Sequence, residues 1–398
     1  MKVALITEVS PLHVNGVSRA ISRLLEHLTA EGHQILVIGP AGGEHNGARL
    51  VACPGISLQF YPELKLCFAT YTALKALVDF QPDILHFADP NLLGPQIILA
   101  CELLFPNVPK VSSYHTNIAQ YAGQFGYGYL TNAIWHLLRL YHSRCSYVMC
   151  PSNGTKRLLV EHGFDSSKVL IWSRGVNLSS FNALKRDSAL RRHWLQQFSI
   201  IDTDDEGDEG VSFSPDISRR ATILLYVGRL SWEKNLKILV SAFLKARQID
   251  QSIVLVLVGD GPARNELETL LKGHPAVFTG YLKGDALAKA YAAADVFGFL
   301  SKTETFGQVV LEALASGLPV IGIKDAPGVS EIVTDEVACL VNEEVSSIVD
   351  SIIEMGHLSG TKRKEIKKLC MQRASQFTWD AAGRSVSETY KLAINKCN

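Results

Sequence analysis

Two α/β units in series, each a parallel sheet with helices on both faces, are the fold class expected for this chain. Three observations lead there. Short, continuously apolar runs alternate with amphipathic helical patterns, which is how strands buried on both faces read. The alternation stops in a polar, acidic stretch and then starts again. The chain has 398 residues, more than one ordinary core accommodates, so two domains of comparable size follow from length alone.

The first unit opens with residues 3–7, Val-Ala-Leu-Ile-Thr, a buried strand. Residues 17–31 place apolar side chains at helical spacing, and Gly32 stands where a helix C-cap belongs. Residues 35–38, 83–87, 110–114, 147–150 and 169–172 continue the strand series, mostly with helical stretches between them. Residues 183 to about 220 break the pattern. They contain Asp202-Thr-Asp-Asp-Glu-Gly-Asp-Glu209 and then Ser and Pro, too polar to bury a core, so they read as a mobile loop. Strands resume at 222–227, 252–258, 277–279, 296–300 and 319–323. A long helical stretch, about 362–396, closes the chain, interrupted near Thr378 and Trp379. No short internal repeat is visible. The expected division is a first domain over 1–195, an acidic insertion or linker over 196–218, and a second domain over 219–379. The two are expected to be Rossmann-like units facing across a cleft, with ligands at the carboxyl ends of the strands.

Composition narrows the function. Lys+Arg and Asp+Glu are both 39, so the formal net charge is zero. Such a chain has no global field to attract a polyanion, which argues against a dedicated nucleic-acid binder. Local basic clusters can still hold phosphate. The eight cysteines, Cys53, Cys67, Cys101, Cys145, Cys150, Cys339, Cys370 and Cys397, form no CxxC pair and lie mostly in apolar segments. Buried free thiols in a reducing compartment fit them better than a disulfide framework or a zinc site. The start of the chain lacks the layout of a signal peptide, and no apolar run reaches about 18 residues. A cytoplasmic enzyme is expected, or one resting peripherally on the cytosolic face of a membrane.

Chemistry concentrates in the strand-to-helix turns. In Ser301-Lys-Thr-Glu304-Thr305-Phe306-Gly307-Gln-Val-Val-Leu-Glu312, Glu304 lies in a turn after a strand and Glu312 inside the following helix. A carboxylate buried there is costly unless something satisfies it, and a hydroxyl-rich ligand could. Spacing alone fits equally well a helix-dipole Glu and an exposed helical Glu. In Tyr226-Val-Gly228-Arg229-Leu-Ser-Trp-Glu-Lys234-Asn235, two cations follow a strand at the entry to a helix. An Arg fork, an ammonium and helix N-terminal amides suit a diphosphate, although ordinary surface loops carry basic residues too. Gly259-Asp260-Gly261-Pro262 and Asp325-Ala-Pro-Gly328-Val-Ser-Glu331 end further strands; their glycines fit either close approach to a ligand or tight turns. In the first unit, Asn15-Gly16-Val17-Ser18 precedes a helix whose amides could face phosphate. Ser113-Tyr114-His115-Thr116-Asn117 ends a strand with a lone His, more often structural than functional. The DxD-like Asp202-Thr-Asp204-Asp205 has no strand before it and reads as solvated charge, and no bound metal is expected. Between residues 121 and 140, Tyr121, Phe125, Tyr127, Tyr129 and Trp135 occur with few charges. They suit an acceptor pocket, a membrane-docking surface or plain core.

Taken together and in this order, these motifs resemble the retaining glycosyltransferases of family 4, which have the GT-B fold. The resemblance spans roughly 1–190 and 220–395. Its most specific part is the E-x7-E element from Glu304 to Glu312, with Phe306-Gly307 and Leu311-Glu312-Ala313. Gly228-Arg229 with Lys234, Gly259-Asp260-Gly261-Pro262 and Ser316-Gly317-Leu318-Pro319-Val320 also match. The resemblance implies that Glu304 binds a donor-sugar hydroxyl and Glu312 the nucleotide ribose. Arg229 and Lys234 would neutralise the diphosphate leaving group beside Gly228. Gly16 would help close the phosphate site, and His115 would touch the donor sugar near the reacting carbon. Backbone around Thr305, Phe306 and Gly307 would hold further sugar hydroxyls. Base choice is expected to depend on the loops near Asp260-Gly261-Pro262 and Tyr281-Leu282-Lys283. The last helix, 380–398, would return to the first domain.

The implied chemistry is electrostatic: cations and amides meet the charge that builds on the departing phosphate. In such enzymes attack comes from the leaving-group side and the phosphate takes the acceptor's proton, so no dedicated carboxylate base is needed. No cofactor is expected beyond a nucleotide-diphosphate sugar as cosubstrate. Residues 113–117 and Ile171-Trp-Ser-Arg-Gly-Val176 are similar to mannosyl and sulfoquinovosyl transferases acting on lipids, with Asn177 where the family usually has Asp. A hexose moved from GDP-mannose to a lipid or small hydroxylated acceptor is the first expectation, and a UDP-sugar donor the second. A sugar-nucleotide 2-epimerase would need acid/base groups around the ring, for which only His115 and Glu304 offer themselves. A non-catalytic sugar-nucleotide sensor is disfavoured because no motif residue is visibly lost.

Overall fold

The computed structural model describes residues 1–12, 16–58, 61–124, 126–201, 220–302, 304–324, 326 and 328–397, with the side chains of 58, 61–64, 120, 121 and 124 excepted. Asn15, the Tyr121 side chain, Phe125, the acidic run at 202–209 and Asp325, all noted above, lie outside what is described. The chain divides into two compact units, Met1–Gly175 with Thr378–Asn398, and Val176–Phe377.

The first unit contains β1 (Lys2–Thr7), β2 (Gln34–Gly39), β3 (Gly43–His45), β4 (Ala48–Ala52), β5 (Gly55–Leu58), β6 (Tyr61–Cys67), β7 (Ile84–Ala88), β8 (Lys110–Ser113), β9 (Tyr147–Cys150) and β10 (Val169–Ile171). Eight of these form one sheet in the order β10-β9-β8-β7-β1-β2-β4-β3, while β5 and β6 make a separate antiparallel pair. The large sheet is parallel except where β3 meets β4. Alternation along β1 builds both cores. Val3 and Leu5 face Ile21, Leu24 and Leu28 of the helix Gly16–Ala30. Ala4 and Ile6 face Leu77 of the helix Tyr71–Phe80 and Ile97 of the helix Leu93–Leu104. The C-terminal helix Trp379–Cys397 joins the first of these faces through Val386, Tyr390 and Ala393. Its Gly383 rests on the His27 ring, which a Cβ at that position would approach to 2.3 Å.

The second unit has a single parallel sheet of β11 (Thr222–Val227), β12 (Ile253–Val258), β13 (Ala276–Gly280), β14 (Val296–Phe299), β15 (Val320–Ile323) and β16 (Ala338–Val341), in the order β13-β12-β11-β14-β15-β16. Every residue of β11 and β12 is buried.

The boundary between the units differs from the expected 195. Residues 188–196 are not the start of a loop but a helix, Ser188–Gln196, begun by Asp187, whose carboxylate accepts the Leu190 amide at 3.0 Å. Its Trp194 and Leu195 belong to the core of the second unit. Arg191, 2% exposed, donates to Asp295 at 2.7 Å and to the carbonyls of Ala221 and Ala293. Burial alone would raise the Asp295 carboxyl; Arg191 and Arg220 outweigh it and hold it below its usual range. A polar-looking segment thus carries one buried cation that fastens it to the second sheet.

Candidate active site

Each sheet has a place where successive connections leave in opposite directions. From β1 the chain goes to β2 on one side and later returns at β7 on the other; β11, β12 and β14 repeat this. Loops at the carboxyl ends part at such switch points and leave room for a ligand.

At the switch point of the second unit, β11 pairs with β14 through Leu224↔Val296 and Leu225↔Phe297. The loop after β11 carries Gly228, Arg229 and Lys234, and the loop after β14 carries Glu304 to Gly307. The two loops are joined by Lys234 Nζ, which donates to Glu304 Oε1 at 2.5 Å; the side chains are 12% and 27% exposed. Asn235 adds a second tie. It takes a left-handed backbone (φ 61°) between a short 3-10 turn and the helix Leu236–Ile249. From there its amide donates to the Leu300 carbonyl at 3.3 Å and to Glu343 at 2.7 Å. The half-buried Arg229 lies in the same loop, its carbonyl accepting the Tyr226 hydroxyl at 2.9 Å.

The Glu304–Gly307 turn is backed by Gly328. A Cβ on Gly328 would come within 2.7 Å of both the Glu304 carbonyl and the Phe306 nitrogen. Phe306 is 4% exposed and meets Phe377 edge-on at 6.2 Å, so its ring is core. Gly307 (φ +86°) opens the helix Gln308–Ala315, whose Glu312 is 1% exposed. The Tyr291 hydroxyl donates to Glu312 Oε2 at 3.1 Å. A protein hydroxyl therefore already offsets part of the cost of burying this carboxylate, a role the sequence reading gave to a ligand.

Asp260 and Gly261 lie where the loops after β11 and β12 meet. A Cβ on Gly259 (φ +134°) would lie 2.0 Å from the Gly228 carbonyl, and one on Gly261 would lie 2.5 Å from the Leu230 carbonyl. The Leu230 amide also donates to the Asp260 carbonyl at 2.9 Å. These glycines let the loops after β11 and β12 lie backbone to backbone. Both Asp260 carboxylate oxygens are taken locally, by the Gly261 amide at 2.7 Å and by Arg264 at 3.0 Å.

In the first unit, Gly16 begins its helix with an exposed backbone, and nothing lies within 4 Å of where a Cβ would be. Packing does not demand glycine there. His115, just after β8, is a buried residue. It is 4% exposed, with Nδ1 2.6 Å from Arg174 and Nε2 2.8 Å from Ser113 Oγ. Burial and then Arg174 push the imidazole well below its usual pKa. Both ring nitrogens are bonded inside the unit, which fixes the ring's orientation.

Two acids of this unit, Glu8 and Asp89, escaped notice in the sequence, and Arg174 appeared there only within a family-like motif. Glu8, directly after β1 and 1% exposed, accepts from the amides of Leu92, Leu93 (2.7 Å) and Cys67 (3.4 Å). Burial outweighs these bonds and raises its carboxyl to about 7. Asp89, directly after β7 with φ 48°, accepts the His115 amide at 2.6 Å and the Thr116 hydroxyl at 2.6 Å; burial raises it to about 6. Arg174, 5% exposed, stacks on Trp172 at 4.9 Å and is lowered by burial to about 10. The position of each acid at the end of a central strand was the available signal, but only the strand order makes those ends neighbours.

Among the described residues, no group of three or more His, Cys, Asp or Glu is placed to hold a metal. No described helix is long and apolar enough to cross a membrane. All eight cysteines are unpaired, six of them buried.

Comparison with known proteins adds to this geometry. Residues 14–180 match the family model "Glycosyltransferase Family 4" and residues 211–369 match "Glycosyl transferases group 1". A GDP-mannose-dependent alpha-mannosyltransferase of Mycolicibacterium smegmatis is 36% identical over 341 residues, covering 84% of this chain and 82% of its own. The chain belongs to glycosyltransferase family 4. This glycosyltransferase is also 29% identical over 405 residues to the sulfoquinovosyl transferase SQD2 of Arabidopsis thaliana, covering 99% of its own length and 74% of that relative. Its fold matches the solved sucrose-phosphate synthase of Thermosynechococcus elongatus with a TM-score of 0.73, at 21% identity and 99% coverage of each chain. The glycosyltransferase is a hexosyltransferase with the GT-B fold.

Proposed function

We propose that this glycosyltransferase moves a hexosyl group, with retention, from a nucleotide-diphosphate sugar to a lipid hydroxyl, and that GDP-mannose is the donor. The observation that carries the donor is the 36% identity to a GDP-mannose-dependent mannosyltransferase across most of both chains. A UDP-sugar glycolipid synthase is the second reading, favoured by the likeness to the sulfoquinovosyl transferase along 99% of this chain.

The residues support a division of labour. Arg229 offers a fork and Lys234 an ammonium to the diphosphate. An ammonium has three donors, so Lys234 can keep Glu304 and still donate to a phosphate oxygen. Glu304, held by that bond, takes a sugar hydroxyl, and backbone of the Thr305–Gly307 turn takes others. Glu312 is assigned to the ribose, and the open first turn at Gly16 to an anionic group. As the anomeric bond breaks, charge grows on the phosphate, and fixed cations stabilise it more than they stabilise the bound donor. This reading needs no metal; EDTA should leave the rate unchanged.

Contact with a membrane surface is part of the proposal. Tyr129 is 78% exposed, Leu137 48%, Tyr127 44% and Leu140 43%, while Trp135 is core, stacked on His162 at 3.9 Å. Residues 103–160 contain no Asp or Glu but include Lys110, Arg139, Arg144, Lys156 and Arg157. Exposed apolar groups near cations, of which Arg144 is paired with Glu102, suit an anionic lipid surface, and flotation with anionic against neutral liposomes tests it.

The donor experiment is direct. The protein is incubated with GDP-mannose or UDP-sugars, with diacylglycerol or inositol lipids as acceptors, and products are read by mass spectrometry. A hexosyl-lipid formed from GDP-mannose is expected. No nucleotide release with any donor across the acceptor panel contradicts the proposal, and an altered sugar nucleotide without acceptor points to an epimerase instead.

A further inference from the structure

His115 is one link in a buried chain of hydrogen bonds that ends on the C-terminal helix. Arg174 lies 2.6 Å from its Nδ1. Its Nε2 is 2.8 Å from Ser113 Oγ, which is 2.8 Å from His86 Nε2. His86 Nδ1 is in turn 2.8 Å from the Tyr390 hydroxyl. His86, Ser113 and Tyr390 are all 0% exposed. Residues 86 and 390 are 304 positions apart, and the side chain of Tyr390 enters the first sheet's core from the helix Trp379–Cys397.

The chemistry of the partners fixes one tautomer. A guanidinium has only N–H donors. His115 Nδ1 is therefore an acceptor, and its proton sits on Nε2, directed at Ser113. The backbone is fixed as well, by Asp89 on the His115 amide. Trp172 closes the ring from the side, edge-on at 4.9 Å. Burial holds His86 neutral too, down to about 3. Such a set of bonds leaves His115 one orientation and one protonation state, which is what preorganisation of a site requires.

We propose that Tyr390, His86 and Ser113 are positioning residues of the transferase, which act by holding His115 as its Nε2–H tautomer at the carboxyl end of β8. Through Tyr390, closure of the last helix onto the first unit becomes a condition for an ordered site, so the helix has a part in the reaction beyond stability. The proposal rests on the transferase reading above and on the family resemblance, which implies that residue 115 touches the donor sugar near the reacting carbon. It predicts a loss in turnover rather than in donor affinity, because the cations assigned to the diphosphate, Arg229 and Lys234, are in the other unit.

The test uses the full chain in two variants, Tyr390→Phe and Ser113→Ala, with His115→Ala as reference. Each variant's fold is checked by circular dichroism, and 15N-histidine NMR reads the tautomer of residue 115. Wild type is expected to show the Nε2–H form. Both variants are expected to lose that defined signal and to drop in kcat by about 10- to 100-fold, with donor KM changed less than about three-fold. If Ser113→Ala unfolds, Ser113→Thr, which restores a hydroxyl, is expected to recover both signal and rate. Folded variants that keep kcat and the His115 signal overturn the relay. Full activity in His115→Ala instead overturns the assignment of residue 115 to the site, a separate failure that leaves the tautomer measurement standing.

Discussion

Glu8 is 1% exposed, with the amides of Cys67, Leu92 and Leu93 around its oxygens, and its carboxyl is raised from 4.5 to about 7 by burial. A raised folded-state pKa means the native protein binds the proton more tightly than the unfolded chain. That contribution is fully present below pH 4.5 and is lost as pH rises through 7. Unfolding free energy should therefore fall between pH 5 and 8, and Glu8→Gln should remove roughly 3 kcal/mol of that slope. Urea titrations at several pH values check this. Asp89 shifts in the same direction, but it does so in both proteins, so the difference isolates Glu8. Parallel profiles would refute the assignment. At this scale the sequence was legible in part. Glu304, Glu312, Arg229 and Lys234 could be picked out as types and spacings. That Lys234 and Glu304 touch, 70 positions apart, and that Tyr291 satisfies Glu312, could not, because such partners are chosen by strand order and helix packing.

Strands of four to six apolar residues were readable because burial on both faces removes any polar alternation, and β1, β11 and β12 are of this kind. β3 to β6 were not: β3 and β5 are three and four residues long, open with glycine and are exposed at residues such as Ile56, while β4 and β6 carry charged residues among their apolar ones. The helix Ser188–Gln196 was missed for another reason. Its charge pattern looks solvated, yet Arg191 is 2% exposed against Asp295. Removing one member of a buried pair leaves an uncompensated charge, so Arg191→Met should destabilise the protein by about 3 kcal/mol. Adding Asp295→Asn should recover part of that loss. Denaturation midpoints of the single and double variants decide it, and a neutral single variant would show that the pair does not hold this helix.

The division into two α/β units was visible as two alternations of apolar runs and helices, and the order of the motifs carried the family likeness. Where the units part was hidden, because residues 176–201 pack with the sheet that follows them rather than the one before. The switch points were hidden too. They exist only once β7 has inserted beside β1 and β14 beside β11. They explain why the cations after β11 and the glutamate after β14 form one constellation, and that constellation is the element assigned to leaving-group departure. It is tested most directly by kcat/KM for transfer from GDP-mannose to a lipid acceptor in wild type, Arg229→Ala and Lys234→Ala. Loss of a fixed group that stabilises transition-state charge should lower each variant by about 100-fold or more. Folded variants within about two-fold of wild type would contradict the role given to these cations.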